Sequence, residues 1–512
     1  MKTRTVLALA ALAAAVSAAA WNIVVRRTNA QAAGMTEAQT GAPSPGETRW
    51  RSDVAAMETF RPGYSFWQYV FTLPDHSIAF GSALDGRLIA TFPTKSDWTR
   101  KAAWADHDLD RILEGLHLPR KLSDRREQVA RILENAVGPV LHNPTRGDAL
   151  LKNAPRYGAF VQEWGTIYEH FGVPADIGLA QVIFESGLNP TRRSEANAIG
   201  FCQWLQKNWK RLNHFSPTPI EGRNHTTQAP YCAAYLSVLA TKYGSFIPAL
   251  SEHNAGGTNV GRTLITGEHL GATDVRARYF LGSKLARDLR TLPGKAYEEV
   301  YRSYGPRSFL YAEMVFGNSF NVRNLIASTP QEAIYAMRTT RAISLAEIVK
   351  TTGLSRDEVR RFNPALTERV PARGTIYLPH YVSEFGVDVA FWRHPASPSF
   401  ITVLNDFLRL EPGAERWDDP AFAPVLADFR RRFQETNTEE GTVMDTVLTY
   451  AMDQAYTSPR RALLAEFRNS ENVRELIERG VAELEGLRSV EAMRDGCQSV
   501  PTPAGPPVPA CR

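Results

Sequence analysis

Apolar residues recur at spacings of three and four along most of this chain, and that pattern predicts a mainly α-helical protein. The segments "YGAFVQEWGTIYEHFG" (157–172), "AAYLSVLATKYG" (233–244) and "SKLARDLRTL" (283–292) each carry such a stripe and stop near a glycine or a polar break. "FITVLNDFLRL" (400–410) and "NVRELIERGVAELEGL" (472–487) repeat it further on, so residues 383–495 read as a C-terminal helical region. Between residues 51 and 150 the pattern is mixed. "SIAFGSALDGRLIATF" has two β-prone runs about Asp85-Gly86, a hairpin signal. "DLDRILEGL" and "REQVARILENAV" then predict two helices, giving an α+β region to which no chemistry is assigned.

The helix predicted in "GVPADIGLAQVIFESGLNP" (172–190) is apolar almost all round, which marks a central element. Pro174 and Asp176 suit its start and Gly187 its stop. Glu185 therefore falls in the last turn of a buried helix. Partial burial and the negative helix end both favour its protonated form, the state a general acid needs. A structural glutamate paired with Arg192 or Arg193 is the alternative. Glycoside hydrolysis usually uses a second carboxylate. Asp176 lies on the wrong face of the same helix, and Glu195 and Glu252 sit in no obviously buried run, so a one-carboxylate mechanism gains weight.

Composition narrows the class. The 512 residues suggest several domains, and a formal charge of +5 without a dense basic stripe does not point to nucleic acid. No zinc spacing or cofactor motif occurs, so no metal and no cofactor are expected. The start, "MKTRTVLALAALAAAVSAAAW", reads as a signal peptide over residues 1–20, or as an anchor over 1–25 if uncleaved, and so as an exported, cell-envelope protein. Residues 26–50 read as a linker and 496–512 as an extended Pro-rich tail. The four cysteines permit the local pairings Cys202–Cys232 and Cys497–Cys511, with buried free thiols as the alternative for the first two.

Glu185-Ser186 and Asn189-Pro190, then Gly200-Phe201-Cys202-Gln203, then Asn254-Ala255-Gly256, then Tyr279 resemble, in order, the motifs of the soluble lytic transglycosylase family. The match covers residues 151–330, about a third of the chain. Cys202 stands where Met or Trp is usual, and His253 where the family has tyrosine. The resemblance implies a lysozyme-like helical domain acting on peptidoglycan glycan strands. Glu185 would act first as acid and then as base on the sugar's own C6 hydroxyl, leaving a 1,6-anhydro end. Ser186 would orient Glu185, Gln203 and Asn254 would bond substrate, Tyr279 would lie near the cleaved bond, and Phe201 would line a sugar subsite. A hydrolytic muramidase or chitinase-like glycosidase on the same fold, and a non-catalytic scaffold, are the alternatives.

Residues 333–382 form a further small unit. Ser344 and Gly353 bracket one predicted helix, and Ser355 and Asn363-Pro364 bracket a second, between β-prone "YAMRT" and "TIYLP". This strand–helix–helix–strand order resembles a LysM peptidoglycan-binding module, although Ala342-Ile343-Ser344-Leu345 replaces the usual Gly-Asp-Thr-Leu run. The C-terminal helical region would recruit cell-wall partners or restrain the active site.

Overall fold

The computed structural model describes residues 43–292, 298, 310–330, 332–494, 498–502 and 505–510. The expected signal peptide or anchor lies outside these residues, as do Cys497 and Cys511. Among the described residues no helix is long and apolar enough to cross a membrane. The fold is mostly helical, and residues 45–512 belong to one compact unit.

Helix α1 (Pro45–Phe60) begins inside the stretch read as a linker. Pro45 sits in its first turn, and Trp50, Asp53 and Met57 bury one face. Gly46 packs so closely that a Cβ there would lie 2.0 Å from the Gly172 carbonyl oxygen. Asp53 accepts bonds from Ser245 Oγ at 2.7 Å, the Phe246 amide at 2.6 Å and Arg276 Nε at 2.6 Å, so α1 straps the N-terminus onto helices far along the chain.

After α2 (Trp67–Thr72) come β1 (Ser77–Ser82), β2 (Leu88–Pro93) and β3 (Ala103–Trp104), then α3 (Leu122–Val137) and β4 (Val140–Pro144). The strands form an antiparallel sheet in the order β3-β2-β1-β4, with the expected hairpin turning at Gly86, whose φ is +71°. Val129, Ala130 and Leu133 of α3 pack on Ile78, Phe80 and Phe92 of the sheet. The helix expected over "DLDRILEGL" is instead a run of three-residue turns. Leu109, Ile112, Glu114 and Leu116 each donate to the carbonyl three positions back. The segment is too short to sustain an isolated helix, and Leu113 is its one fully buried anchor.

The central bundle follows: α4 (Asp148–Tyr157), α5 (Val161–His170), α6 (Ala175–Ser186), a short hairpin of β5 (Ala198–Ile199) and β6 (Trp204–Leu205), α7 (Gln206–Phe215), α8 (His225–Tyr243), α9 (Phe246–Ala255), α10 (Gly257–His269), α11 (Val275–Asp288) and α12 (Tyr311–Ser328). Helix α6 is buried on all sides against α5 and α12, as its sequence predicts. Gly187 ends it at φ +56°, a left-handed position that any other residue would strain. Cys202 in the hairpin is disulfide-bonded to Cys232 of α8.

The small unit has the expected strand–helix–helix–strand order: β7 (Tyr335–Thr339), β8 (Ile343–Ser344), α13 (Leu345–Thr352), α14 (Arg356–Phe362), β9 (Arg369–Val370) and β10 (Thr375–Leu378). Ser344 caps α13, Gly353 stops it, and Ser355 with Glu358 forms a capping box on α14. A third strand, β11 (Gly386–Asp388), pairs with β7, so the module runs past residue 382. It is not detached. Phe362 packs 5.2 Å from Phe160, Tyr377 bonds Thr227 through their hydroxyls, and Arg361 forks onto Glu332.

Helices α15 (Pro398–Leu408), α16 (Gly413–Trp417), α17 (Ala423–Glu435), α18 (Glu439–Thr457), α19 (Arg460–Asn469) and α20 (Glu471–Arg494) complete the fold, with a terminal pair of strands, β12 (Gln498–Thr502) and β13 (Gly505–Ala510). The C-terminal helical region is packed onto the central bundle. Phe400, Phe407, Val447 and Tyr450 belong to the same core as Trp164 and Ile183. Apolar faces of this size have no reason to stay apart, since burying each large side chain contributes roughly 1.5–3 kcal/mol.

Candidate functional site

Helix α6 delivers Glu185 to a nearly closed site, where its side chain is 11% exposed. The Tyr311 hydroxyl, at the start of α12, donates to Glu185 Oε1 at 2.6 Å. Gln181, one turn earlier on α6, donates from Nε2 to the Tyr311 oxygen at 3.3 Å. Burial and the Glu185 carboxyl beside it hold the Tyr311 phenol well above its ordinary range, so it stays a donor.

On the other side lies His253, in the last turn of α9. Its Nδ1 is 3.6 Å from Glu185 Oε1 and has no hydrogen-bond partner. Its Nε2 accepts the Trp204 indole N–H at 2.9 Å. Trp204 is wedged among Trp209 (4.8 Å), Tyr235 (4.7 Å, edge-on) and Tyr450 (5.9 Å, stacked). The C-terminal helix α18 thus supplies part of the wall behind the glutamate. Among the described residues no lysine or arginine pairs with Glu185. Arg193 bonds Asn197 instead, so the alternative of a glutamate held by Arg192 or Arg193 is not the arrangement found.

The other expected site residues divide. Gln203 lies in the hairpin loop at φ +52°, its amide nitrogen donating to the carbonyls of Gly200 (2.6 Å) and Arg192 (3.1 Å). Asn254 is exposed next to His253. The other three are buried. Ser186 is fully buried and its hydroxyl donates to the Val182 carbonyl at 3.0 Å, so it completes the helix end rather than orienting Glu185. Phe201 is fully buried against Trp164 and lines no subsite. Tyr279 is buried on α11 and bonds the Ser251 hydroxyl at 2.6 Å; the tyrosine on the glutamate is Tyr311. The sequence signal for Tyr311 was weak, an aromatic opening an apolar helix, because only the α6–α12 packing shows what it reaches.

Among the described residues, none of the other carboxylates weighed as a partner is paired with Glu185. Glu195 is exposed on the loop, and Asp176 bonds Arg323. Glu252 is buried on the far side of α9, bonded to Lys242 (2.7 Å), Arg460 (2.9 Å) and Tyr243. Burial alone would raise its carboxyl, but Lys242 and Arg460 outweigh burial and hold it below the usual carboxylate range. Arg460 also grips Asp418. Among the described residues no cluster of His, Cys, Asp and Glu could hold a metal ion. No protein-family model and no curated protein matches this chain.

Proposed function

We propose that the protein is a peptidoglycan lytic transglycosylase with a lysozyme-like catalytic region, in which Glu185 serves as acid and then as base. The observation that carries this reading is a largely buried carboxyl flanked by the Tyr311 hydroxyl and the His253 ring, with no lysine or arginine among the described residues paired to it. In the first half of the reaction Glu185 protonates the glycosidic oxygen between N-acetylmuramic acid and N-acetylglucosamine. In the second, its carboxylate takes the proton of the C6 hydroxyl as that oxygen closes on C1. Such a sequence needs no carboxylate to hold a water, which agrees with the engagement of Glu252 and Asp176 elsewhere.

The strand–helix–helix–strand module, read as LysM-like, fits a glycan-binding role. The Cys202–Cys232 bond fits an oxidising, exported setting. The test is Glu185→Gln in the full chain, assayed on peptidoglycan sacculi. Muropeptide release falls by about a thousandfold or more if Glu185 is the acid, and undiminished release rejects the reading. Mass spectrometry of the wild-type products decides the chemistry: 1,6-anhydro ends for transglycosylation, reducing ends for a hydrolase.

A further inference from the structure

We propose that His253 is a positioning residue for Glu185: a neutral N–H donor, fixed in one tautomer by Trp204, whose bond to the carboxylate forms only as Glu185 gives up its proton. The inference rests on the reading of Glu185 as the acid and extends it to a residue outside the family pattern.

The tautomer follows from donor and acceptor chemistry. An indole nitrogen only donates, so His253 Nε2, 2.9 Å from Trp204 Nε1, presents its lone pair. The proton of the neutral ring is then on Nδ1, the atom facing Glu185. A proton on Nε2 would set donor against donor. Neither ring is free to avoid this, since Trp204 is held on three sides by Trp209, Tyr235 and Tyr450, and the His253 side chain is 6% exposed.

The distance sets the timing. At 3.6 Å, Nδ1 is too far from Oε1 for a hydrogen bond, and no other acceptor engages it. A buried donor left unsatisfied in the resting site is costly, and that cost disappears when an anion forms within closing distance. Catalysis gains from an interaction that strengthens as charge develops. The charge in question appears on Glu185. Its proton moves to the glycosidic oxygen, and the C1–O bond breaks with its electron pair on that oxygen. The carboxylate then takes the C6 hydroxyl proton as the O6–C1 bond forms. His253 keeps its Nδ1 proton throughout.

Among the described residues, Glu185 is the one charged partner within ion-pair distance of His253, and the Arg211–Asp453 pair lies beyond Tyr450. Tyr235 of α8 lies 6.4 Å from the imidazole ring, and burial pushes the phenols of Tyr235 and Tyr450 well up, so both stay neutral. Tyr311 donates to the same Glu185 oxygen that His253 faces. Glu252, next in sequence, is occupied by Lys242 and Arg460, with Asp418 beyond.

The tautomer is tested directly by nitrogen NMR of the labelled full chain at neutral pH. A protonated Nδ1 and bare Nε2 at His253 are expected, and a protonated Nε2 overturns the proposal. Kinetics on sacculi test the role. His253→Ala lowers kcat by roughly 10–100-fold with little change in KM. His253→Asn, whose amide can place an N–H near the Nδ1 position, recovers part of the loss. Trp204→Phe removes the donor that fixes the ring, and the nitrogen spectrum of His253 in that variant is expected to show both tautomers. Wild-type kcat in His253→Ala, or an unaltered His253 nitrogen spectrum in a folded Trp204→Phe, overturns the proposal. An active Glu185→Gln would instead sink the underlying reading, so the two failures are distinguishable.

Discussion

Glu185 shares its Oε1 with the Tyr311 hydroxyl, a contact between residues 126 positions apart. Replacing Tyr311 by Phe removes this donor and keeps the ring that packs edge-on at 4.7 Å against Phe184. The variant is expected to fold, losing about 1–2 kcal/mol because the Gln181 amide is left without its acceptor. Its kcat should fall by roughly 100–1,000-fold, the usual effect of losing one donor at a site of developing charge. Steady-state release from sacculi, with a thermal melt for stability, checks both; unchanged kcat would mean that Tyr311 is packing alone. Glu185 was legible in the sequence because its oddity is local, a carboxylate in the last turn of an apolar helix. Tyr311 was not, and neither was the burial of Phe201 or the turn of Tyr279 toward Ser251. In each the deciding partner sits on another helix, and motif order carries no information about which way a side chain points.

Elements were legible where local chemistry and tertiary packing agree. Helix α6 runs to Gly187 as its periodicity requires, and the caps at Ser344 and Ser355 form where serine precedes an apolar stripe. The segment after His107 missed because apolar residues three apart suit successive three-residue turns as well as a helix. What single elements could not reveal is how they are tied together. Arg460 of α19 bonds Glu252 of α9 and Asp418 beside α16, with Lys242 of α8 in the same cluster. Removing one partner of such a buried group leaves charge uncompensated. Arg460→Ala is therefore expected to cost about 3–5 kcal/mol, read as a lower denaturant midpoint. Because α9 also carries His253, kcat should fall in the same variant even under conditions where it remains folded. A loss of less than 1 kcal/mol would show the cluster to be well solvated instead.

At the scale of the whole molecule, the small module and the C-terminal helices share one core with the central bundle, and acid should reveal that dependence. His225 lies at this junction, fully buried, with its ring 5.2 Å from Phe160 and 5.3 Å from Trp164, and neither ring nitrogen has a partner. Burial, with Arg361 of the module and Arg156 adding to it, pushes its pKa from 6.5 down to about 3. The folded pKa is depressed, so below pH 6.5 the unfolded chain takes up a proton that the folded chain refuses. The stabilisation is complete above pH 6.5 and drains away as pH falls toward 3, on the order of 5 kcal/mol in all. Asp53 acts in the opposite sense. Burial raises it to about 6, so its folded form gains relative to the unfolded as pH falls from 6 toward 3.8. The two overlap, and only a difference between variants isolates the histidine. His225→Phe keeps an aromatic ring among Tyr157, Phe160 and Trp164 and cannot titrate. Denaturant unfolding at pH 7, 5 and 4 should show the wild type losing several kcal/mol more than this variant over that range. Parallel losses would place the acid sensitivity elsewhere and remove His225 as the residue that makes the joined core dependent on pH.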